Sequence, residues 1–386
     1  MRAYWPDYRP LKPVIMITCA LCVLLGCGVG ELGVVKHPIL ESASRETPLV
    51  ALDHELPDVA RLQQRLARAQ QVLSIGTLDG KPGTVFSRPV DAAVTSSGRL
   101  LILDASMSEI RAFTLTGSYI ATLVSRGQGP SEIVSPVGID VLDQQRTAQE
   151  RITVAGGARI KLFEHTDDAI RQLESFAPPT VPLPGDVCAI GSSLRIRSRF
   201  AQGTDLVSAF DLRDSAAFAF GVGYQEGGPV ARSELSAGPI ACLTTGETIL
   251  AFTYLPTVAV YDSAGAMRWS VDLPEFEPLE FREVQRVGRP VGFVTSYSKP
   301  GDMVTSVHGV PGGGLLVQVA HLGGATKKRP RSQRIEGRRT YLLSTKTGRI
   351  ALLSKSLPQI LTVTADMVWA VAEASEGYPV IVGYRY

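Results

Sequence analysis

Histidine is scarce in this chain. Five occur in 386 residues (His37, His54, His165, His308 and His321), and no two stand at metal-ligand spacing. Neither HExxH nor a Gly-x-Ser-x-Gly nucleophile elbow is present. No metal and no cofactor is expected. Net charge is only +2, too small to set up a field that would draw in nucleic acid. Cysteine is also sparse. Cys19, Cys22 and Cys27 sit in an N-terminal apolar segment and only Cys188 and Cys242 lie deeper, so the fold does not rest on a disulfide scaffold. The apolar run Val14–Leu25 is short of the roughly 20 residues that cross a bilayer.

What the chain does have is glycine and proline, 37 and 25 of them, suited to many tight turns. They recur in phrase. Gly76, Gly80, Gly83, Phe86 and Pro89 lead into the apolar run Val90–Val94. Gly127, Gly129, Glu132 and Pro136 lead into Val137–Val141. Between them lie the short strand-like runs Leu100–Asp104, Ile110–Phe113 and Tyr119–Val124. Pro89, Pro136, Pro184 and Pro239 open successive units at intervals of 47, 48 and 55 residues. Several short strands repeated at about 40–50 residues predict a β-propeller, whereas helical repeats would carry long 3.6-residue patterns.

Reading on to the C-terminus gives an all-β, six-bladed β-propeller over residues 71–386. Its last blade has three strands, Ile360–Ala365, Met367–Glu373 and Tyr378–Tyr386. Val72–Ile75 has no blade of its own and is expected to close the ring as the missing fourth strand, which removes an open edge.

Arg2, Arg9 and Lys12 precede the Val14–Leu25 run, as in a secretory signal. Leu24-Leu25-Gly26-Cys27 resembles the bacterial lipobox, which implies a signal peptide over 1–26, acylation of Cys27 and a membrane anchor in the bacterial cell envelope, on the outer membrane and facing the periplasm or the surface. Residues 27–70 read as a tether ending in a short helix, Asp58–Gln70, with Val59, Leu62, Leu66 and Ala69 on one face.

The first two units, through Phe86, Pro89, Gly98, Leu101–Asp104, Ile110 and Phe113, then Gly127, Gly129, Glu132, Pro136, Ile160 and Phe163, resemble NHL-type repeats and the bacterial six-bladed propeller lipoproteins. The resemblance implies a non-enzymatic binding or scaffolding module for a protein, peptide or glycan. A few related propellers are lyases, so the alternative is a lyase or hydrolase with its site in the central channel, drawing on His308, Asp91, Asp140 or Asp186.

Candidate residues follow from placement. His308 falls on an inner strand and faces the channel as a possible ligand or base, or bonds a neighbouring blade. Arg195, Arg197 and Arg199 alternate along one strand, which puts them on one face. They form either an anion- or uronate-binding patch or a solvated outer or edge strand with its arginines in water or paired to acids. Cys188 and Cys242 hold similar places on neighbouring inner strands, either as a disulfide or as two small buried residues. Lys327, Lys328, Arg329, Arg331, Arg334, Arg338 and Arg339 read as one basic loop, solvated or in contact with lipid, acidic glycan or a partner. Residues 274–301, broken by Pro274, Pro278, Pro290 and Pro300, are the longest departure from the repeat and a candidate lid. The Gly127-Gln128-Gly129 run precedes a strand and reads as an inter-blade turn, not a phosphate loop.

Overall fold

The computed structural model describes residues 31–34, 44–46 and 57–386, apart from 81–82, 143–149, 166–169, 179–182, 200–204, 285–291, 296–298, 312 and 325–333. Cys27 and most of the basic run after Gly323 lie outside the described residues.

The chain folds as a six-bladed β-propeller. Blade one starts at Pro89–Val94 and works outward through Arg99–Asp104, Glu109–Thr114 and Tyr119–Arg126. Blade two is Pro136–Leu142, Glu150–Gly156, Arg159–His165 and Ile170–Phe176. Blade three is Pro184–Ile190, Ser193–Ser198, Val207–Asp211 and Ala217–Phe220. Blade four is Ile240–Cys242, Thr248–Ala251, Thr257–Tyr261 and Met267–Asp272. Blade five is Gly301–Val310, Gly314–Gly323, Arg334–Ser344 and Ile350–Leu352.

Blade six is Gln359–Val363, Met367–Glu373 and Pro379–Arg385, completed by Gln70–Ile75. That closing strand pairs antiparallel with the C-terminal one, Ile75 opposite Ile381 and Gln70 opposite Arg385. It begins two residues earlier than the apolar pattern indicates, because Gln70 and Gln71 are exposed and carry no hydrophobic signal.

The middle strands of each blade are covered on both faces, which explains their unbroken apolar runs. Leu100, Leu101, Ile102 and Leu103 are all fully buried. Asp104 ends that strand and is equally buried; its carboxylate accepts the amides of Ser87 (2.7 Å), Arg88 (3.1 Å) and Met107 (3.1 Å). This strand-ending aspartate is thus a pin for the turn that launches the inner strand. The second glycine phrase is built likewise. The Glu132 carboxylate accepts the Gly129 amide at 2.7 Å, and a Cβ on Gly127 (φ 150°) would come within 2.0 Å of it.

The segment before the propeller is more than a tether. Glu31–Val34 pairs with Phe281–Val284, which with Gly292–Thr295 forms a small accessory sheet inside the 274–301 stretch. Ser44–Glu46 adds in parallel to the outer edge of blade four. The helix runs Pro57–Ala67, ending three residues short of Gln70 because the chain must extend there to close the ring. Val59, Leu62 and Leu66 are buried against Val310, Leu342, Leu357 and Val368 of blades five and six. The Arg65 guanidinium donates to the carbonyls of Ala365 and Tyr386, both at 3.2 Å, and lies over the Tyr386 ring. No helix among the described residues is long and apolar enough to cross a membrane.

Candidate functional site: the central channel and its two mouths

The six inner strands enclose a channel of about 720 Å³. The lower mouth, at the C-terminal ends of these strands, opens into a bowl of about 1400 Å³ lined by Arg151, Ser192, Arg213, Thr244, Thr362 and Ala365, among others. At the upper mouth, where the inner strands begin, stand Arg88, Arg199, Ile335, Arg338 and Gln359.

Inner strands of adjacent blades do not share a sheet, so amides on the channel wall need acceptors from elsewhere. Three aspartates supply them. Asp91 accepts its own neighbour Ala92 (2.9 Å) and, across the seam, Ile139 of blade two (2.8 Å). Asp140 accepts Val141 (2.8 Å) and Ala189 of blade three (2.8 Å). Asp186 accepts Val187 (2.8 Å) and Ile240 of blade four (3.0 Å). Each carboxylate is a clasp between blades.

Withdrawal from water disfavours the charged form of all three. It pushes Asp140 up to about 6 against the two amide bonds that favour the anion. It pushes Asp186 up to about 7, opposed by its amide bonds and by the Arg197 charge. Asp91 is raised well above the usual carboxylate range, first by burial and then by the Asp186 charge. Among the described residues no set of three or more His, Cys, Asp or Glu side chains is placed to hold a metal ion.

The other seams use different groups. Val304 of blade five donates its amide to the Thr253 carbonyl of blade four at 2.8 Å. Between blades five and six, Gln318 donates to the carbonyls of Leu357 (3.1 Å) and Pro358 (2.8 Å) and accepts the Ile360 amide (3.0 Å). His308 lines the channel, and its Nε2 contacts the Ile360 carbonyl at 3.3 Å. Burial pulls its pKa down to about 4, so the ring is neutral at pH 7 and that nitrogen is the donor. Cys188 and Cys242 are joined, with Cα atoms 5.5 Å apart, linking blades three and four beside the Asp186 clasp.

The arginine strand is not an outer or edge strand, and its arginines do not gather into one patch. Ser193–Ser198 is second in its blade, so both its faces are covered. Arg197 is fully buried. Its guanidinium donates to the carbonyls of Pro239 (2.7 Å), Ala251 (2.6 Å) and Ser236 (2.7 Å) and lies over the Phe252 ring. Arg195 reaches the Ser193 hydroxyl and the Leu194 carbonyl, over Phe218. Both brace blade three against its surroundings. Arg199, just past the strand end, is exposed at the upper mouth.

The basic run divides in the same way. Arg338 and Arg339 belong to the strand Arg334–Ser344 and not to a loop, and successive residues there point to opposite faces. Arg338 lines the upper mouth. Arg339 pairs with Asp302, a fully buried carboxylate whose other oxygen lies 2.9 Å from His321 Nδ1 and which also accepts the Glu277 amide at 2.8 Å. The His321 side chain is 32% exposed. Sequence spacing does not reveal this cluster, because its three members stand 19 and 18 residues apart and meet only through strand pairing.

No family model and no curated protein matches this chain. Solved structures do match in shape. A member of the DUF4221 family from Bacteroides vulgatus is 11% identical, with a TM-score of 0.52 over 82% of this chain and 97% of its own. A Bacteroides fragilis protein whose name marks it as one thought to be exported is 11% identical, at 0.49 over 81% and 94%. A streptogramin B lyase is 10% identical, at 0.44 over 81% and 97%. At such identities the likeness is one of fold alone.

Proposed function

We propose that this chain is an exported, lipid-anchored propeller with NHL-like repeats that acts as a non-enzymatic binding or scaffolding module, taking a protein, peptide or glycan ligand at the upper mouth of its channel. One observation carries the reading. The channel acids Asp91, Asp140 and Asp186 are committed to main-chain amides as inter-blade clasps, and His308 is committed to Ile360. A rigid ring whose channel aspartates and His308 are engaged in its own architecture, yet whose upper mouth carries exposed side chains, suits recognition rather than turnover.

The test uses the full-length protein on peptide and oligosaccharide arrays. Ile335→Trp, at a position 43% exposed on the upper rim, should abolish capture, while Val222→Trp, 41% exposed away from the channel, should not. Equal capture by both variants would place binding elsewhere. The address is tested separately. Cys27→Ser should release the protein from membranes, and continued attachment would exclude the lipid anchor.

A second reading, a lyase or hydrolase, is favoured by a different observation. The buried Asp302 fixes Nδ1 of the partly exposed His321, the arrangement that orients an imidazole for proton transfer. Under that reading mass spectrometry of a captured ligand reveals a cleaved product that His321→Gln eliminates. An intact ligand after prolonged incubation removes it.

A further inference from the structure

Charged side chains of both signs line the 720 Å³ channel. Arg88, Arg199 and Arg338 stand at its upper mouth, whereas the acids that line it, Asp91, Asp140 and Asp186, are tied to amides. Arg338 is the informative member. Its side chain is partly withdrawn from water, and the groups it reaches are neutral and distant: the Thr305 hydroxyl at 3.4 Å and the Gln359 amide oxygen at 3.4 Å. Burial alone pulls its pKa down, with no acid to offset the effect. A cation sheltered from water without a counter-charge is costly, and an incoming anion is what would balance it. Arg88 and Arg199 are exposed on the same rim.

Resting on the binding role proposed above, we infer that the Arg88–Arg199–Arg338 mouth is an anion subsite that takes the carboxylate of an acidic oligosaccharide end. The lining points to such a hydroxyl-rich acid. Ser198, Thr305 and Gln359 place hydroxyl and amide groups beside the arginines. The volume admits a ligand of ordinary small-molecule size, a di- or trisaccharide end among them.

The probe is digalacturonate, titrated calorimetrically into the full-length protein alongside its methyl ester, sodium sulfate and an acidic peptide of equal charge. The acid binds and the ester does not, and sulfate competes. Arg338→Gln and Arg88→Gln each weaken digalacturonate on the order of tenfold, the loss of one charge-assisted hydrogen bond, and Arg338→Lys recovers part of the affinity. Arg213→Gln, at the lower mouth, changes nothing. Equal affinity for acid and ester, arginine-independent binding, preference for the peptide, or no heat with either digalacturonate or sulfate would each overturn the subsite. Capture on the arrays that Ile335→Trp abolishes but the arginine variants leave intact would overturn the subsite while leaving the binding role standing.

Discussion

The channel aspartates make folding stability depend on pH in the direction opposite to the usual carboxylate. Asp140 titrates near 3.8 when unfolded and near 6 when folded. Between those values the folded chain holds a proton that the unfolded chain has released, so stability is full below the lower value and falls as pH rises through the upper one. A shift of this size corresponds to at most about 3 kcal/mol, less in so far as channel water reaches the carboxylate. Asp186, near 7, extends the decline upward, and Asp91 carries the same sign. His308 works against them. Its neutral folded form, with a pKa near 4 against 6.5 unfolded, adds stability as pH rises across that interval and nothing above it. Three carboxylates outweigh one imidazole, and above pH 6.5 only the carboxylates act. Urea denaturation followed by tryptophan fluorescence from pH 4.5 to 8 should show stability falling toward pH 8, most plainly between 6.5 and 8. Asp140→Asn keeps an oxygen for one amide but opposes the other, so it should be weaker at pH 5 and lose less on going to pH 7. Stability that is flat or rising between pH 6.5 and 8, or an Asn variant with the wild-type slope, would refute the reasoning.

Four further outcomes follow from the packing. Leu66→Ala, at a fully buried helix position, should cost about 2–5 kcal/mol by calorimetry if the helix is an integral part of blades five and six. Arg197→Met leaves three carbonyls without their donor and should cost about 3–5 kcal/mol; Arg197→Lys should not restore it, because an ammonium cannot span the three acceptors as a planar fork does. Reducing the Cys188–Cys242 link, which closes a loop of 54 residues, should lower stability by about 4 kcal/mol on a loop-entropy basis, read as a shift in the urea midpoint. Leu73→Pro removes the Leu73 amide from its pairing with Gly383 and should expose the C-terminal strand to protease and to self-association, measured by limited digestion and light scattering.

The architecture was legible because each blade repeats a local pattern. A proline opens or immediately precedes each inner strand, and in blade one the doubly covered strand reads as a continuous apolar run, Leu100–Leu103, ended by Asp104. Ring closure was legible by counting strands. The functional surface was legible only in part. Alternation correctly relates Arg195 to Arg197, but nothing local shows that the acceptors of Arg197 are carbonyls 39 to 54 residues downstream, or that the strand lies second in its blade. Likewise Asp91, Asp140 and Asp186 stand out as channel acids, while the amides that occupy them belong to the next blade. The Asp302–His321–Arg339 cluster leaves no trace in spacing at all, since register across three strands creates it. What sequence conveys poorly here is whether a polar group is available or already engaged.

Closing the ring with Gln70–Ile75 also orders events in time. The first strand of the propeller to be made must wait for the last, Pro379–Arg385, before it is paired. Blades one to five can form as local meanders while the chain is still emerging, but the seam cannot. Until that pairing forms, both edges of the blade series stay open, and the contact of longest range is the last one the chain can make. A chain threaded through a narrow pore N-terminus first would present its closing strand early and complete its ring only after the final residues had cleared the pore.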